Sequence, residues 1–292
     1  MQTKLERIMN PKILYIIFFV ICGQLTAQDT IKYFFTGHCY QVDIPGYQID
    51  ERLKQLDFSS YEGVWLGGDL TTGTMLSYGS VQYIDSLFDL NNPETHWAMG
   101  NHDARNGNWE WYEEFTGRKT YYAYSSNNIT RIVLNTNILP VNCEMLDDEF
   151  KIISDVCDTI QQSKYLILLM HHGLWHDIPD LPNPVTYAFS DLQYWNANCD
   201  SANTSFVEVV YPKLVEVKNK GIDVFCVMGD MGSNPKTFAQ MSVDSIQFLG
   251  CGLDQGDPAD QVIVFQYDVA TQKMTWDFHY IDSLLYFQQI KK

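Results

Sequence analysis

Five short polar loops carry side chains that bind divalent metals and transfer protons, and each loop directly follows an apolar run. In chain order they are Thr36-Gly37-His38, Gly67-Gly68-Asp69, Gly100-Asn101-His102-Asp103, His171-His172-Gly173 and Gly229-Asp230-Met231-Gly232. Four of the chain's seven histidines lie in these loops. Imidazole, carboxylate and carboxamide groups together form the mixed nitrogen and oxygen ligand spheres that suit Fe, Zn or Mn. If the loops meet in space, they can hold metal ions beside a histidine that donates a proton.

Each loop by itself has a more ordinary interpretation. A Gly-Asp pair after a strand is usually a turn, and a single histidine is usually a hydrogen-bonded surface or core residue. A His-His pair binds a metal in roughly one case in five, given how often histidine serves as a ligand. The occurrence of all five loops in this order, each after an apolar run, favours the chemical interpretation.

The elements that must position these loops alternate between strand-like apolar runs and amphipathic helical segments, a pattern typical of α/β topology. Helices are predicted at 75–88, 109–115, 149–162 and 206–220, where apolar residues recur every three or four positions. Strands are predicted at 32–35, 63–66, 96–99, 121–124, 131–135, 165–170, 223–228, 246–249, 262–267 and 274–280. No helix is predicted between the strands from 246 onward, which indicates antiparallel hairpins. Loops at the carboxyl ends of strands in an α/β sheet converge on one crevice.

Local signals suggest where two of the helices begin and end. Asp147 and Asp148 stand where an N-cap and first turn favour acidic residues. Gly221 follows Lys220 as a predicted C-terminal stop. The segment 175–205 is rich in Pro, Asn and Asp and is predicted to be a surface insertion near the functional face.

The ordered set of loops resembles the calcineurin-like metallophosphoesterase superfamily, in which Asp-x-His, Gly-Asp, Gly-Asn-His-Asp/Glu, single-His and Gly-His-x-His motifs build a two-metal site. The resemblance spans about residues 32–252, and its most specific motif, Gly100-Asn101-His102-Asp103, matches in full. It implies an α/β fold of the calcineurin-like type, a four-layer α/β/β/α sandwich with two mixed sheets flanked by helices. This domain is expected to occupy residues 28–292.

Carried over position by position, the resemblance makes Asp69 a carboxylate that bridges two metals, with Asn101 and His171 as ligands of one of them. His102 is implied to contact the phosphate and protonate the leaving oxygen, while Asp103 orients its ring. Two cations held about 3.5 to 4 Å apart make a hydroxide nucleophile available near neutral pH. The implied activity is hydrolysis of phosphate mono- or diesters.

The chain departs from the family pattern in its first and last motifs. Thr36 stands where the first motif has Asp, and Asp230 and Gly232 stand where the last motif has two histidines. One metal site then keeps Asp230 as a carboxylate in place of an imidazole, whereas the other keeps only His38 and the shared Asp69. The resemblance therefore implies one complete site and one weak or absent site, occupied by one or two divalent ions (Mn, Fe, Zn or Mg). The added carboxylate favours Mn²⁺ or Mg²⁺ relative to Zn²⁺.

Two further residues near the loops are candidates for binding substrate. Arg105 follows the Asn-His-Asp sequence and can clamp a phosphate through paired donors, although an Arg at a helix end is more often simply solvated. His172 can bind substrate or replace a missing ligand, or it is only a polar loop residue.

Residues 1–27 have the composition of a secretory signal peptide. Basic residues precede the apolar run 13–22, and the small-residue site Leu25-Thr26-Ala27 follows it. A run of about ten apolar residues is too short to cross a bilayer, which needs roughly 20. We therefore expect cleavage after Ala27, export to the periplasm or the medium, and no stable membrane anchor. Met9 is an alternative start, and lipid modification of Cys22 is an alternative that the bulky Ile21 disfavours.

The strongly acidic charge restricts the partners. The chain has 19 Lys and Arg against 36 Asp and Glu, and removal of residues 1–27 leaves 16 against 35, a net charge of -19. Such a surface repels polyanions, so nucleic acid is not expected as a partner. A small phosphorylated substrate drawn in by metal ions remains compatible with this charge.

Six cysteines remain after the expected cleavage, and an oxidising compartment permits disulfides among them. Six cysteines allow 15 pairings, so spacing does not identify the bridges. Cys226 and Cys251 lie in or beside apolar strand-like runs and are predicted to be buried thiols. A bridge between Cys143 and Cys157 is the pairing that we favour.

Three functions compete at this point. The first is an exported phosphoesterase that uses metal-activated water and His102 as general acid. The second is a catalytically impaired relative that binds or scaffolds, which the altered positions Thr36, Asp230 and Gly232 favour because fold alone does not determine function. The third, a disulfide-stabilised adhesin, accounts for export and the cysteines but leaves the five loops unexplained.

Overall fold

The computed structural model describes residues 30–42, 44–105, 107–138, 143–176, 178–182, 205–232 and 236–290. The predicted signal peptide at 1–27 and most of the predicted insertion at 175–205 lie outside these residues. Within the described ranges, no helix has the length and apolarity needed to cross a bilayer.

Two mixed sheets form the centre of the described structure. Their strands are β1 Thr30–Thr36, β2 Gly63–Leu66, β3 His96–Trp97, β4 Tyr122–Ser126, β5 Ile129–Val133, β6 Tyr165–Met170, β7 Asp223–Met228, β8 Thr237–Met241, β9 Gln247–Cys251, β10 Gln261–Asp268 and β11 Lys273–Tyr280. One sheet has five strands in the order β11-β10-β1-β2-β3, and the other has six in the order β4-β5-β6-β7-β9-β8.

Helices cover the outer faces of both sheets. They are α1 Glu51–Gln55, α2 Tyr78–Phe88, α3 Asn101–Ala104, α4 Glu110–Thr116, α5 Cys143–Thr159, α6 Tyr211–Asn219 and α7 Ile281–Gln289. A π-helical segment, Phe206–Val210, leads directly into α6.

The burial pattern of the central strands produces the four layers. On β6, Leu166 and Leu168 pack into a cluster with α5 and α6, whereas Ile167 and Leu169 face the five-stranded sheet. All four side chains are fully buried, because successive residues of a strand point to opposite faces and both faces are covered. On the other sheet, β1 and β2 pack against α1, α2, α4 and α7. The predicted α/β/β/α sandwich is confirmed.

The strand predictions at 63–66, 165–170 and 223–228 are confirmed residue for residue. The prediction of hairpins from 246 onward is wrong for β9, which does not pair with β10 but lies in the six-stranded sheet, parallel to β7 and antiparallel to β8. It is correct for β10 and β11, which pair antiparallel. The edge strand β8 was not predicted, because only Phe238 among its five residues is buried and the strand has no apolar run.

Of the two predicted helix boundaries, the start of α5 is wrong and the end of α6 is confirmed. Helix α5 begins at Cys143, so Asp147 and Asp148 lie inside it and do not cap it. The Asp148 carboxylate instead accepts hydrogen bonds from Lys119 and from the Tyr121 hydroxyl, a tertiary contact that no local pattern encodes. The predicted C-terminal stop is confirmed, since Gly221 has a φ of +84° after α6.

The disulfide predicted between Cys143 and Cys157 is wrong. Both residues lie on α5, where a rise of 1.5 Å per residue separates them by roughly 21 Å, and a disulfide needs Cα atoms within about 7 Å. Cys157 is a free, buried thiol. Cys226 and Cys251 are also free and buried, as predicted.

Candidate metal centre

Backbone contacts between glycines join the two sheets at the ends of their strands. A Cβ atom on Gly229, just after β7, would lie 2.1 Å from the carbonyl oxygen of Gly67, just after β2. A Cβ on Gly37, after β1, would lie 2.4 Å from the Gly229 Cα. Only residues without side chains allow so close an approach. The loops of both sheets therefore meet at one point, as the sequence predicted.

Two of the candidate ligands have left-handed backbone conformations. His38 has a φ of +50° and Asp69 a φ of +55°. This region costs a non-glycine residue on the order of 1–3 kcal/mol and persists only where the surroundings enforce it. Here the His38 N–H donates to the Gly68 carbonyl at 2.8 Å, and the Cys39 N–H donates to the Asp69 carbonyl at 2.7 Å.

Three of the predicted ligands converge around the imidazole of a fourth, His171, which is fully buried. Its Nδ1 donates to the Gly67 carbonyl at 2.7 Å, which leaves Nε2 directed into the centre. Three oxygen atoms lie near Nε2: Asn101 Oδ1 at 3.1 Å, Asp69 Oδ1 at 3.5 Å and Asp230 Oδ1 at 3.8 Å. Burial lowers the pKa of His171, but the Asp69 and Asp230 carboxylates outweigh it and hold that pKa above its usual value. The centre therefore favours a positive charge at this imidazole.

The carboxylates of the centre are also buried. Asp69 is 1% exposed, and burial raises its pKa to about 7 despite the opposing effect of His171. Asp230 is 5% exposed. Two buried carboxylates near one another need a compensating cation. The donor set of imidazoles, carboxylates and an amide oxygen fits a divalent metal in that role.

The donors fall into two groups of three, and each donor atom lies within 4.8 Å of the others in its group. One group is His38, Asp69 and Asp230, and the other is His171, His172 and Asp230. Asp230 belongs to both. The resemblance had placed Asp230 only in the metal site of Asp69, Asn101 and His171, so the structure gives the His38 group a second carboxylate.

The two positions that depart from the family pattern have distinct structural roles. A Cβ atom on Gly232 would lie 1.9 Å from Cε1 of His38, so the His38 ring occupies the space that a side chain at position 232 would need. The buried Thr36 hydroxyl lies 3.6 Å from Cys39 Sγ. Thr36 is thus engaged within its own loop.

The His102 ring is held by stacking. It lies against the Tyr40 ring with centroids 4.4 Å apart and an interplanar angle of 21°. Among the described residues its Nδ1 has no hydrogen-bond partner, while its backbone N–H donates to Asp69 Oδ1 at 2.8 Å. Burial, followed by the positive charge of Arg105, lowers the pKa of His102 to about 4. His102 is therefore neutral near pH 7 in this state.

Asp103 does not orient the His102 ring, so that part of the sequence interpretation is wrong. Its carboxylate is fully buried and accepts hydrogen bonds from loop atoms. The donors are Asp69 N at 2.6 Å, Gly100 N at 3.0 Å and Trp97 Nε1 at 3.3 Å to Oδ2, and Thr74 Oγ1 at 2.7 Å, Leu70 N at 2.9 Å and Thr71 N at 3.4 Å to Oδ1. Asp103 thus fixes the backbone of the Gly67-Gly68-Asp69 and Gly100-Asn101-His102-Asp103 loops.

A cavity of about 280 Å³ opens over the centre. Its lining includes the predicted residues His38, Asp69, Asn101, His102 and Asp230. Sequence reasoning missed three other lining residues, Tyr40, Asp254 and Gln255. Of these, Tyr40 was detectable as an aromatic residue two positions after His38.

The two candidate substrate residues lie elsewhere. Arg105 is exposed at the end of α3 and does not line the cavity, although its charge reaches the His102 ring. His172 is 4% exposed and also absent from the lining, and its Nδ1 lies 2.7 Å from the Thr136 hydroxyl.

Comparison with known proteins gives one family and several solved structures of low sequence identity. The model of the calcineurin-like phosphoesterase family matches residues 47–212. A dimetal phosphatase from Danio rerio superposes with a TM-score of 0.51 at 9% identity, over 81% of this chain and 95% of that one. A 5'-nucleotidase precursor from Thermus thermophilus gives a TM-score of 0.41 at 11% identity, over 86% of this chain and 54% of that one. Vps29 from Chaetomium thermophilum gives a TM-score of 0.32 at 10% identity, over 87% of this chain and 96% of that one. No curated protein matches the chain in sequence.

Proposed function

The chain belongs to the calcineurin-like phosphoesterase family. We propose that it is an exported, metal-dependent phosphoesterase that hydrolyses mono- or diesters of small phosphorylated substrates. The observation that carries the proposal is the convergence of Asn101, Asp69 and Asp230 oxygens within 3.8 Å of His171 Nε2. This arrangement assembles a metal site directly beside His102, which has the chemistry of a proton donor.

The metal ligands in this proposal are Asp69, Asn101, His171, Asp230 and His38. Bound divalent cations would supply Lewis-acid activation of water and of phosphoryl oxygens. The chain itself fixes the ligands: Gly67 holds His171, and the Leu253 carbonyl lies 3.0 Å from His38 Nδ1. Such outer contacts set the tautomer and orientation of a ligating histidine.

His102 supplies the proton to the leaving oxygen. Its ring faces the cavity and is fixed by the Tyr40 stack, so a phosphoester over the centre meets it in a defined orientation. The low pKa of His102 in the free protein arises from burial and then from the Arg105 charge. An anionic phosphate raises that pKa by the opposite electrostatic effect. Substrate binding therefore promotes protonation of the acid.

The cavity and the charge restrict the substrate. A volume of about 280 Å³ suits a phosphate with a small attached group. Asp254 lies at the lining, and the chain carries a net charge of -17. Both features disfavour polyanionic chains such as nucleic acids. Export without a stable membrane anchor rests on the signal-peptide composition of residues 1–27.

A second function is supported by a specific observation. The His38 ring fills the space at Gly232, and Thr36 contacts a thiol, so two ligand positions of the family are absent. A catalytically impaired protein that binds a phosphorylated ligand without turning it over fits these losses. In the enzyme His102 donates a proton during turnover, whereas in the binding protein it does not.

The test uses the mature protein purified without chelators. Metals per chain are measured by elemental analysis, alongside hydrolysis of a chromogenic phosphodiester and a chromogenic monoester. For an enzyme, His102→Ala lowers kcat by roughly 10²- to 10⁴-fold without loss of metal, and Asp69→Asn abolishes turnover. Asp155→Asn, on the exposed face of α5, serves as a control with unchanged activity. Absence of turnover after reconstitution with Mn, Fe and Zn, with ligand binding indifferent to His102→Ala, would favour the binding protein.

A further inference from the structure

Three imidazoles around the centre each have a protein oxygen beside Nδ1. A protein oxygen lies within hydrogen-bond distance of Nδ1 in each ring: Leu253 O at 3.0 Å for His38, Gly67 O at 2.7 Å for His171 and Thr136 Oγ1 at 2.7 Å for His172. A histidine that ligates metal through Nε2 typically has its other nitrogen held in this manner. The two carbonyls can only accept, whereas the Thr136 hydroxyl can donate or accept, so His172 has an oxygen contact at the same ring atom as the two histidines that the family pattern assigns.

The position of His172 also favours the metal over the substrate. It is 4% exposed and does not line the cavity, so a substrate in the cavity does not reach its ring. Its donor atom lies within 4.8 Å of donor atoms of His171 and Asp230. The His171 and His172 rings are 4.6 Å apart and nearly perpendicular, at 77°, so they do not stack face to face.

Asp230 occupies the point where the two groups meet. It lies within 4.8 Å of His38 and Asp69 on one side and of His171 and His172 on the other. A carboxylate has two oxygens and can serve two cations, as bridging carboxylates do in two-metal sites. An imidazole at this position serves only one.

The glycine at position 232 is coupled to this arrangement. Because a Cβ there would lie 1.9 Å from the His38 ring, the absence of a side chain lets His38 take its present place within 4.8 Å of Asp230. The changes at Gly232 and Asp230 are therefore compatible with one another: His38 occupies the vacated space, and Asp230 supplies the carboxylate there.

We propose that the chain builds a two-cation centre with a rearranged ligand set, in which Asp230 is shared by both ions and His172 is a ligand of one of them. One ion would be held by His38, Asp69 and Asp230, and the other by His171, His172 and Asp230 together with Asn101, whose Oδ1 lies 3.1 Å from His171 Nε2. The inference rests on the proposed function in assuming a metal centre, but it does not require turnover.

The two sites differ in the metal ions that their ligands favour. The group with two imidazoles and one carboxylate favours Zn²⁺ or Fe²⁺, whereas the group with one imidazole and two carboxylates is better suited to Mn²⁺ or Mg²⁺. The centre therefore holds two different metals, with Zn²⁺ or Fe²⁺ on the side of His172.

The test is calorimetric titration of the metal-free, full mature chain with Zn²⁺ and separately with Mn²⁺, with bound metal counted by elemental analysis. The wild type is expected to bind two ions per chain. His172→Ala keeps one ion at wild-type affinity and weakens the other at least tenfold, and His38→Ala affects the opposite ion. Asp230→Asn weakens both ions, because the amide has one acceptor oxygen and no charge.

His279→Ala removes an imidazole of β11 that belongs to neither group and is the matched control, with two ions bound as in the wild type. His172→Gln provides a second variant in case alanine disturbs the Thr136 contact, and circular dichroism confirms folding of each. Wild-type binding of both ions in the His172 variants, an unchanged ion in Asp230→Asn, or no ion bound by the wild type would each overturn the inference. Two ions with this pattern but without turnover would instead refute only the proposed function.

Discussion

Asp103→Asn distinguishes a carboxylate that shapes the loops from one that orients the His102 ring. The Asp103 carboxylate presents two acceptor oxygens to six donors from the surrounding loops. Asparagine keeps the shape of the side chain but replaces one oxygen with an NH₂ group, which is itself a donor. Three donors then lose their acceptor, whichever way the amide turns.

The expected loss of unfolding free energy follows from the less costly orientation of the asparagine amide. In that orientation the NH₂ group points toward Thr74, whose hydroxyl can rotate and accept a hydrogen bond. The Leu70 N–H, now 2.9 Å from an oxygen, would then face a second donor. A buried donor without an acceptor costs about 1–3 kcal/mol. The bonds from Asp69 and Gly100 to the remaining oxygen also lose their charge assistance, which brings the expected loss of unfolding free energy to about 3–5 kcal/mol.

The assay is urea unfolding of chelator-treated protein, followed by fluorescence and circular dichroism, so that bound metal does not contribute to the unfolding free energy. With a slope of about 3 kcal/mol per molar urea, the midpoint falls by at least about 1 M. Asp155→Asn removes an exposed carboxylate that pairs with Lys151 and serves as the control, with an unchanged midpoint because exposed ion pairs add little stability. If Asp103→Asn unfolds at the wild-type midpoint and alters only the pH dependence of turnover, then the ring-orienting role is right and our reasoning is refuted.

Three further outcomes are expected. Tyr40→Phe retains the ring that stacks on His102 and keeps wild-type kcat, whereas Tyr40→Ala lowers kcat more than it changes KM. Steady-state kinetics measures both constants, and an equal kcat in the two variants contradicts the stacking role. The pKa of Asp69 is raised from 3.8 to about 7 by burial, so its contribution to the stability of the metal-free protein is present below pH 3.8 and is lost as the pH rises through 7. Asp69→Asn escapes this loss, so its Tm measured by differential scanning fluorimetry rises relative to the metal-free wild type between pH 5 and pH 8; a constant difference argues against the raised pKa. Since His102 acts as an acid, kcat falls as the pH rises through its pKa in the enzyme–substrate complex. A pH–rate profile of His102→Ala lacks this limb, and a retained limb assigns the proton to another group.

Several features were predictable from the amino-acid sequence because they depend on local patterns. The central strands are apolar at nearly every position, as burial on both faces requires, so β2, β6 and β7 were placed residue for residue. Because strands of this kind end at a common edge, the polar loops after them were expected to converge. The contacts of His171 with Asn101, Asp69 and Asp230 agree with that expectation. Their roles in binding metal and substrate stay predictions.

Weak burial explains the elements that the sequence did not predict. Strand β8 buries only Phe238, and α7 buries only Ile281 and Leu285. Neither produces an apolar period long enough to detect. The placement of β9 was also not predictable, since it pairs with β7 and β8 in the six-stranded sheet and not with β10, which follows it in the chain.

The sequence by itself identified the loop residues that surround His171, whereas the tertiary structure decided how they share the centre and which other residues line the cavity. Motif positions placed Asp103 beside His102 in the chain, but its carboxylate binds donors that lie about 30 residues earlier. Asp230 belongs to both donor groups because the glycines of two different sheets pack backbone against backbone. Likewise, His38 fills the space at Gly232, almost 200 residues away in the chain. These outcomes depend on distances between segments from separate sheets, and such distances exist only once the two sheets have packed together.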